Sequence, residues 1–131
     1  MQRITPYLLY EDVGSALDWL ARAFGFQEYG EKMSDPDGKV RHAAMALDDS
    51  LIMMGCPGPE YQNPKRLGHV TQCLYVRVDD LDKHYEQARK EGAKIIEEPK
   101  EQFYGDRRYG AEDPEGHQWY FAQQIRDIPP N

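Results

Sequence analysis

The sequence predicts an α+β fold of two tandem βαβββ units, and two observations carry that prediction. A strand-like stretch, a helical stretch and three further strand-like stretches follow one another twice along the 131 residues. The first helix of each half also ends in a similar pattern, "RAFGFQE" (Arg22 to Glu28) against "RKEGAKI" (Arg89 to Ile95), which marks an internal duplication of one supersecondary unit.

Residues Ile4 to Tyr10 read as the first strand. In "EDVGSALDWLARAFG" the residues Val13, Ala16, Leu17, Leu20 and Phe24 recur at helical spacing, with Asp12 as N-cap and Gly25 where a helix ends in the left-handed conformation. Three strands are expected at Phe26 to Ser34, Lys39 to Leu47 and Ser50 to Met54, with bends at "DPDG" (Asp35 to Gly38) and at Asp48 and Asp49. Gly55 to Gly68 carries Pro57, Pro59 and Pro64 without periodicity and reads as a connector. The second half repeats the order. Thr71 to Val78 alternates polar and apolar residues, "DDLDKHYEQARKEG" is a helix capped by Asp79 or Asp80 and stopped by Gly92, and strands follow at Ala93 to Glu97, around Gln102 to Ala111, and from His117 to Gln124. The turns "DPDG" and "DPEG" sit at different points of their halves, so their likeness is turn chemistry and not descent.

A chain of 131 residues is expected to form one domain, residues 1–131, with units of about 2–55 and 69–125, and it is long enough to bury a core without disulfide staples. The two cysteines, Cys56 and Cys73, form no metal-type pair and no secretory framework, which together with an N-terminus that reads directly as a strand predicts a reducing, cytoplasmic setting. A mean hydropathy of -0.84 and the lack of a long apolar run predict no membrane span. The net charge of -7 opposes the phosphate backbone, so nucleic acid is not an expected partner, while a cationic small molecule is mildly favoured at a cleft.

With "ITPYLLYEDVGSALDWLARAFGF" at its start and "YGDRRYGAEDPEGHQWYFA" at its end, the duplicated chain resembles the vicinal oxygen chelate superfamily, whose members include glyoxalase I, extradiol dioxygenases, fosfomycin-modifying enzymes and bleomycin resistance proteins. It is most similar to the small glyoxalase/bleomycin-resistance-like proteins. The resemblance implies that each unit curls its sheet into half of a cup, helices outside and ligand or metal inside, and that the chain forms a homodimer. A geometric argument points the same way, since one helix covers only one face of each sheet and leaves edges that need a neighbour.

Strand parity assigns side chains to the cup. In the fifth strand Leu74, Val76 and Val78 are apolar and are expected to back onto a helix, leaving Thr71, Cys73, Tyr75 and Arg77 on the other face. The same reasoning turns Thr5, Tyr7 and Leu9 inward in the first strand, and Gln118 and Tyr120 in the last, where Trp119 and Phe121 form the core side. His117 then falls on the helix side or at the strand mouth, where it is expected to start the strand and bond the preceding turn. His84 shares helical spacing with Leu81, Tyr85 and Ala88 and is expected to pack against the sheet. His42, beside Ala44 and Ala46, belongs to an edge or to the cup wall, and His69 stands at the rim.

The resemblance also implies four metal-ligand positions, one each on the first, fourth, fifth and eighth strands, and these fall on Thr5, Met53 or Met54, Cys73 and Tyr120. None is a usual ligand for a catalytic divalent ion, so no metal and no other cofactor is expected. Nucleophile elbows, cysteine–histidine pairs and phosphate-cradling glycine loops are not recognisable, and Glu97, Glu98 and Glu101 are read as a solvated strand end or the cup rim. The expected function is therefore binding or sequestering of a small aromatic or cationic compound by Thr5, Tyr7, Met53, Cys73, Tyr75, Tyr104, Arg108, Gln118 and Tyr120. The alternative is a metal-dependent lyase or dioxygenase of the glyoxalase I or extradiol dioxygenase type, and whether the protein is an enzyme stays open at this stage.

Overall fold

A computed structural model describes residues 2–127. The elements run β1 (Tyr7–Leu9), α1 (Val13–Phe24), β2 (Gln27–Ser34), β3 (Val40–Leu47), β4 (Ser50–Gly55), α2 (Pro64–Leu67), β5 (Cys73–Arg77), α3 (Leu81–Lys90), β6 (Lys94–Glu101), β7 (Asp106–Glu112) and β8 (Gln118–Gln124). They build two open four-stranded mixed sheets, ordered β1-β4-β3-β2 and β5-β8-β7-β6. In each sheet the unit's first strand is an edge strand in a parallel pair, β1 with β4 and β5 with β8, and the remaining pairs are antiparallel. This is the tandem βαβββ arrangement read from the sequence.

Local chemistry explains most boundaries. The Asp12 side chain accepts from Ser15 N at the start of α1, and Gly25 ends it in the left-handed region. Asp80 caps α3 by accepting from Lys83 N. β1 is shorter than the expected Ile4 to Tyr10, because Pro6 has no N–H to donate and Thr5 therefore precedes the strand instead of lying in it. β7 begins at Asp106, later than the alternation implied, since residues 103–105 turn the chain. The connector holds an unforeseen short helix, α2, capped by Asn63 with proline at its first turn.

The two long helices, α1 and α3, lie on one side of the sheets and share one core. Phe24 at the end of α1 meets Phe121 of β8 with ring centroids 4.6 Å apart and Trp119 at 5.5 Å, and Phe26 also reaches Trp119 at 5.5 Å. Tilted aromatic contacts of this kind add roughly 0.5–1.5 kcal/mol each beyond the area they bury. Trp19 Nε1 donates to Glu91 O and Gln87 Nε2 to Arg22 O, tying the helices together. Among the described residues no helix is long and apolar enough to cross a membrane.

The "DPEG" turn joins the halves. Asp113 is buried and its carboxylate accepts from Tyr10 Oη at 2.7 Å, Trp119 Nε1 at 3.1 Å, Glu115 N at 3.0 Å and His117 N at 3.1 Å. Burial pushes its pKa up, against the hydrogen bond from Tyr10 and the nearby His117, which pull it down. Glu115 accepts from the backbone N–H groups of Glu11 and Asp12 and from Asn63 Nδ2. Gly116 has φ 93° and its Cα faces the backbone of Lys65, where a Cβ would stand 2.6 Å from the nitrogen, so no other residue fits this point of the clasp.

Removing the Asp113 carboxylate strands two buried donors, the Tyr10 hydroxyl and the Trp119 indole. Asp113→Ala is expected to cost about 3 kcal/mol and lower the melting temperature by roughly 10 °C. A thermal melt within about 2 °C of wild type would show that the turn does not tie the halves together.

Candidate functional site

The face of each sheet that points away from the helices carries the candidate residues. In β5 the alternation is as expected, with Cys73, Tyr75 and Arg77 exposed and Leu74 and Val76 packed on the core. In β8 Trp119 and Phe121 are fully buried while Gln118 and Tyr120 lie on the opposite face. Tyr7 and Leu9 flank the buried Leu8 in β1, and Met53 lies opposite to the buried Met54 in β4.

In the second sheet the structure brings Tyr75, Tyr104 and Arg108 into one hydrogen-bonded assembly, with the Tyr120 ring packed beside Arg108. Tyr75 Oη donates to Asp106 Oδ2 at 2.6 Å and lies 3.2 Å from Tyr104 Oη. Arg108 Nη1 donates to Tyr104 Oη at 3.0 Å, while its Nε and Nη2 form a bidentate pair with Glu97 at 2.7 and 3.1 Å. Asp106 is buried and also pairs with Arg77 at 3.3 Å. Tyr120 lies against Gly110 of β7, where an added Cβ would come within 2.7 Å of its Cε1, and the Arg108 guanidinium stands 5.0 Å from its ring centroid. Burial and the hydrogen bond to Asp106 push the Tyr75 phenol well above its ordinary pKa, and the Glu97 hydrogen bonds raise that of Arg108.

The first sheet contributes less. Tyr7 reaches across Gly55 to hydrogen-bond His42 Nδ1 at 3.0 Å, with Ala44 paired to Met53 beside it. His42 thus belongs to the wall of the helix-free face, one of the two readings the sequence left open. Tyr7, Cys73 and Gln118 meet across the seam between β1 and β5, in a groove of about 300 Å³ that Pro6, Gln72 and His117 also line. Thr5 and Met53 join neither group. A larger cavity, about 950 Å³, lies elsewhere, between the end of α1, the β3–β4 turn and α3. Its walls mix Lys83, Arg89 and Lys90 with Asp79, Asp80 and Glu86 over Phe24, a lining of long solvated side chains without convergent fixed groups, so we give the helix-free face precedence as a site.

The histidines sort by their partners. His117 Nε2 donates to Leu9 O at 2.7 Å and its ring meets the edge of Tyr10, so it is engaged in the clasp. His84 is packed on Phe121 at 4.2 Å, with Nε2 donating to Phe24 O and Nδ1 facing Tyr109 Oη. His69 lines a rim groove with Tyr61, Leu67 and Tyr7. Among the described residues no three or more histidine, cysteine, aspartate or glutamate side chains converge as metal ligands. Asp106 is the site residue the sequence reading missed. The parity of β7, with Asp106, Arg108 and Gly110 alternating against Tyr109 and Ala111, held the signal once the strand start was placed at Asp106.

The comparisons follow from this geometry. The sequence profile of the Glyoxalase/Bleomycin resistance protein/Dioxygenase superfamily matches residues 3–121. The chain belongs to this superfamily. It is 30% identical over 130 residues to an uncharacterized protein of Mycobacterium tuberculosis, across 95% of this chain and 76% of the relative. The crystal structure of TioX from Micromonospora sp. ML1 superposes with a TM-score of 0.78 at 30% identity, covering 95% of this chain and 100% of that one. A genomically encoded fosfomycin resistance protein, FosX, from Listeria monocytogenes shares the fold alone, at TM-score 0.69 and 11% identity over 94% of this chain and 93% of that one.

Burial of His84 lowers its pKa below the ordinary histidine value of 6.5. The unfolded chain therefore binds more protons than the native one below that value, and stability is complete above it and lost as the pH falls. Between about pH 7.5 and pH 5.5 the wild type is expected to lose more stability than His84→Gln, measured by urea melts. Parallel losses in the two proteins would refute the assignment of His84 as buried and neutral.

Proposed function

We propose that this superfamily member binds a small aromatic compound on its helix-free face without using a metal, both units of a single domain contributing to that face. The observation that carries the reading is the chemistry at the four positions where metal-dependent members hold their ligands. A threonine hydroxyl before β1, a thioether at Met53, a thiol at Cys73 and a phenol at Tyr120 do not make the imidazole and carboxylate set of a catalytic divalent ion. No chemical step is derived through such an ion.

The remaining titratable groups on this face favour binding over catalysis. Asp106 is buried and held by Tyr75 and Arg77, both oxygens of Glu97 are engaged by Arg108, and the raised pKa of Tyr75 makes its phenol a poor acid and a poor base near neutral pH. A general base needs a free lone pair within reach of substrate, and these lone pairs are spoken for. The same groups suit recognition, since aromatic rings with a few fixed polar atoms describe a small-molecule surface.

A homodimer completes the proposal. β2 is exposed along all eight residues, with Tyr29 and Met33 open to solvent, and Ile4 and Phe103 are more than four-fifths exposed. An exposed edge strand with apolar side chains is a pairing surface, and a second copy would cover it. Both cysteines are free, Cys56 buried and Cys73 exposed, which supports a cytoplasmic setting.

Three measurements test the proposal. Elemental analysis is expected to find no stoichiometric divalent metal, and a chelator to leave the melting temperature unchanged, because losing an ion held at a hundred times its Kd would remove about 2.7 kcal/mol. About one nickel, zinc, manganese or iron per chain, with turnover of a hemithioacetal or catechol, would instead make it a metal-dependent lyase or dioxygenase. Sedimentation equilibrium at micromolar concentration is expected to give two chains per particle, and a monomer would remove the dimer. Tyr75→Ala is expected to abolish saturable binding of bicyclic aromatic compounds followed by calorimetry, and unchanged binding would move the site off this face.

A further inference from the structure

The sequence leaves the ligand as aromatic or cationic, and the charges on the helix-free face decide between them. A cation is best held where an unpaired carboxylate stands beside an aromatic ring. Neither oxygen of Glu97 is free of Arg108, and Asp106 gives one oxygen to Tyr75 and the other to Arg77. Glu112, which shares their side of β7, is flanked by Gln118 at 3.5 Å and Lys94 at 4.0 Å. Tyr75 is 44% exposed, but the carboxylate beside it, Asp106, is already engaged, and the ring of Tyr120 has Gly110 against it and the Arg108 guanidinium 5.0 Å from its centroid. The protein supplies the cation for that ring itself.

The arrangement has a second consequence. All the hydrogen bonds of Arg108, to Glu97 and to Tyr104, are made by its guanidinium N–H groups, which point outward in the plane of the group and leave its two faces free of them. Its central carbon stands over the Tyr120 ring, 5.0 Å from the centroid. The Arg108 side chain remains 26% exposed, and that exposure is on the helix-free side because Arg108 alternates with the buried Tyr109. A flat, delocalised cation is thus held in place at four points, with Tyr75 and Tyr104 hydroxyls beside it. Its natural complement is another flat π-system that donates electron density to it.

We propose that the helix-free face takes a planar, electron-rich aromatic compound carrying no positive charge, its ring stacked on the open face of Arg108 so that Tyr120, the guanidinium and the ligand form three layers. This rests on the reading of that face as a small-molecule site and narrows its ligand class. A free anion is not favoured, because both guanidinium groups on this face already have carboxylate partners. Affinity comes from stacking and from the neighbouring phenols.

The test uses two probes of the same ring size, 2-naphthol and N,N,N-trimethyl-2-naphthylammonium, titrated by calorimetry into the full-length protein. Calorimetry is the suitable readout because Trp19 and Trp119 are buried on the core side, at 8% and 0% exposure, where a ligand on the opposite face does not touch them. Wild type is expected to bind the naphthol at least tenfold more tightly than the ammonium compound. Arg108→Lys keeps the charge beside Glu97 but loses the plane, and is expected to weaken naphthol binding about tenfold with the melting temperature near wild type. Arg108→Met serves as the second variant if the lysine protein melts early. Equal or tighter binding of the ammonium compound overturns the inference, as does an Arg108→Lys protein that binds naphthol like wild type while Tyr75→Ala does not. In both cases the face remains a binding site. If wild type binds neither probe, the small-molecule reading and this inference fall together.

Discussion

The buried carboxylate of Asp113 is the constraint on which the arrangement of the two halves depends. A carboxylate loses its hydration on burial and stays only where donors replace it, and here the donors come from both halves: the Tyr10 hydroxyl from the end of the first strand, the Trp119 indole from the last. Their directions fix where the β1–α1 junction sits relative to β8. The flanking residues repeat the linkage with different chemistry. Glu115 accepts the backbone N–H groups at the start of α1, and His117 donates to Leu9 O. With the junction held in this way, β1 runs beside β5 although the two sheets have no strand pairing between them, and the seam groove with Tyr7, Cys73 and Gln118 is the result. A turn that carries none of the candidate site's side chains therefore helps to set its shape.

The duplication makes the two halves comparable residue by residue. Tyr7 pairs with Met53 in the first sheet as Tyr75 pairs with Tyr120 in the second, and Ala44 faces Met53 as Gly110 faces Tyr120. By the same register His42 corresponds to Arg108. In both halves the tyrosine of the unit's first strand sends its hydroxyl across the sheet, directly to His42 in one and through Tyr104 to Arg108 in the other. What differs is bulk and charge. The first half presents methionine and alanine, surfaces that give shape and little polarity, while the second presents phenols, two guanidinium groups and two engaged carboxylates. Recognition chemistry has concentrated in one copy of the repeat, and the other copy completes the wall.

How much of this was legible in the sequence depends on the element. β5 and β8 were readable because each alternates strictly between large apolar and polar or aromatic residues, so parity placed Cys73, Tyr75, Gln118 and Tyr120 on the correct face with Trp119 and Phe121 opposite. His84 and His117 were readable as packed or turn-bound from their neighbours alone. Thr5 was not, because the proline that follows it stops the strand from extending back to it. Asp106 was hidden by the reverse error: a strand begun at Gln102 runs through a turn, and the alternation of β7 appears only when counting starts after Gly105. Pairings such as Arg108 with Glu97 join β7 to β6 across bulged register, which no single-sequence spacing encodes.

On the proposed reading, the saturation of the helix-free face makes its residues better suited to recognition than to catalysis. A long side chain such as arginine gives up rotamer freedom when it is held, a cost of up to about 2 kcal/mol. Here that loss is met during folding, by the bonds to Glu97 and Tyr104, and not at the moment of ligand binding. The same bonds occupy Arg108 and both oxygens of Glu97, and Asp106 is likewise engaged by Tyr75 and Arg77, so these groups offer an incoming molecule little to exchange protons with. What it offers is a fixed plane over Tyr120, flanked by hydroxyls whose positions are set by Asp106. Preorganisation of this kind favours affinity for the ground state of a bound molecule, and catalysis would require groups left free to respond as charge develops in a transition state. The fold shared with enzymes is thus compatible with a protein that holds its ligand unchanged, and the difference between the two lies in which side chains on one face of two sheets are left unpaired.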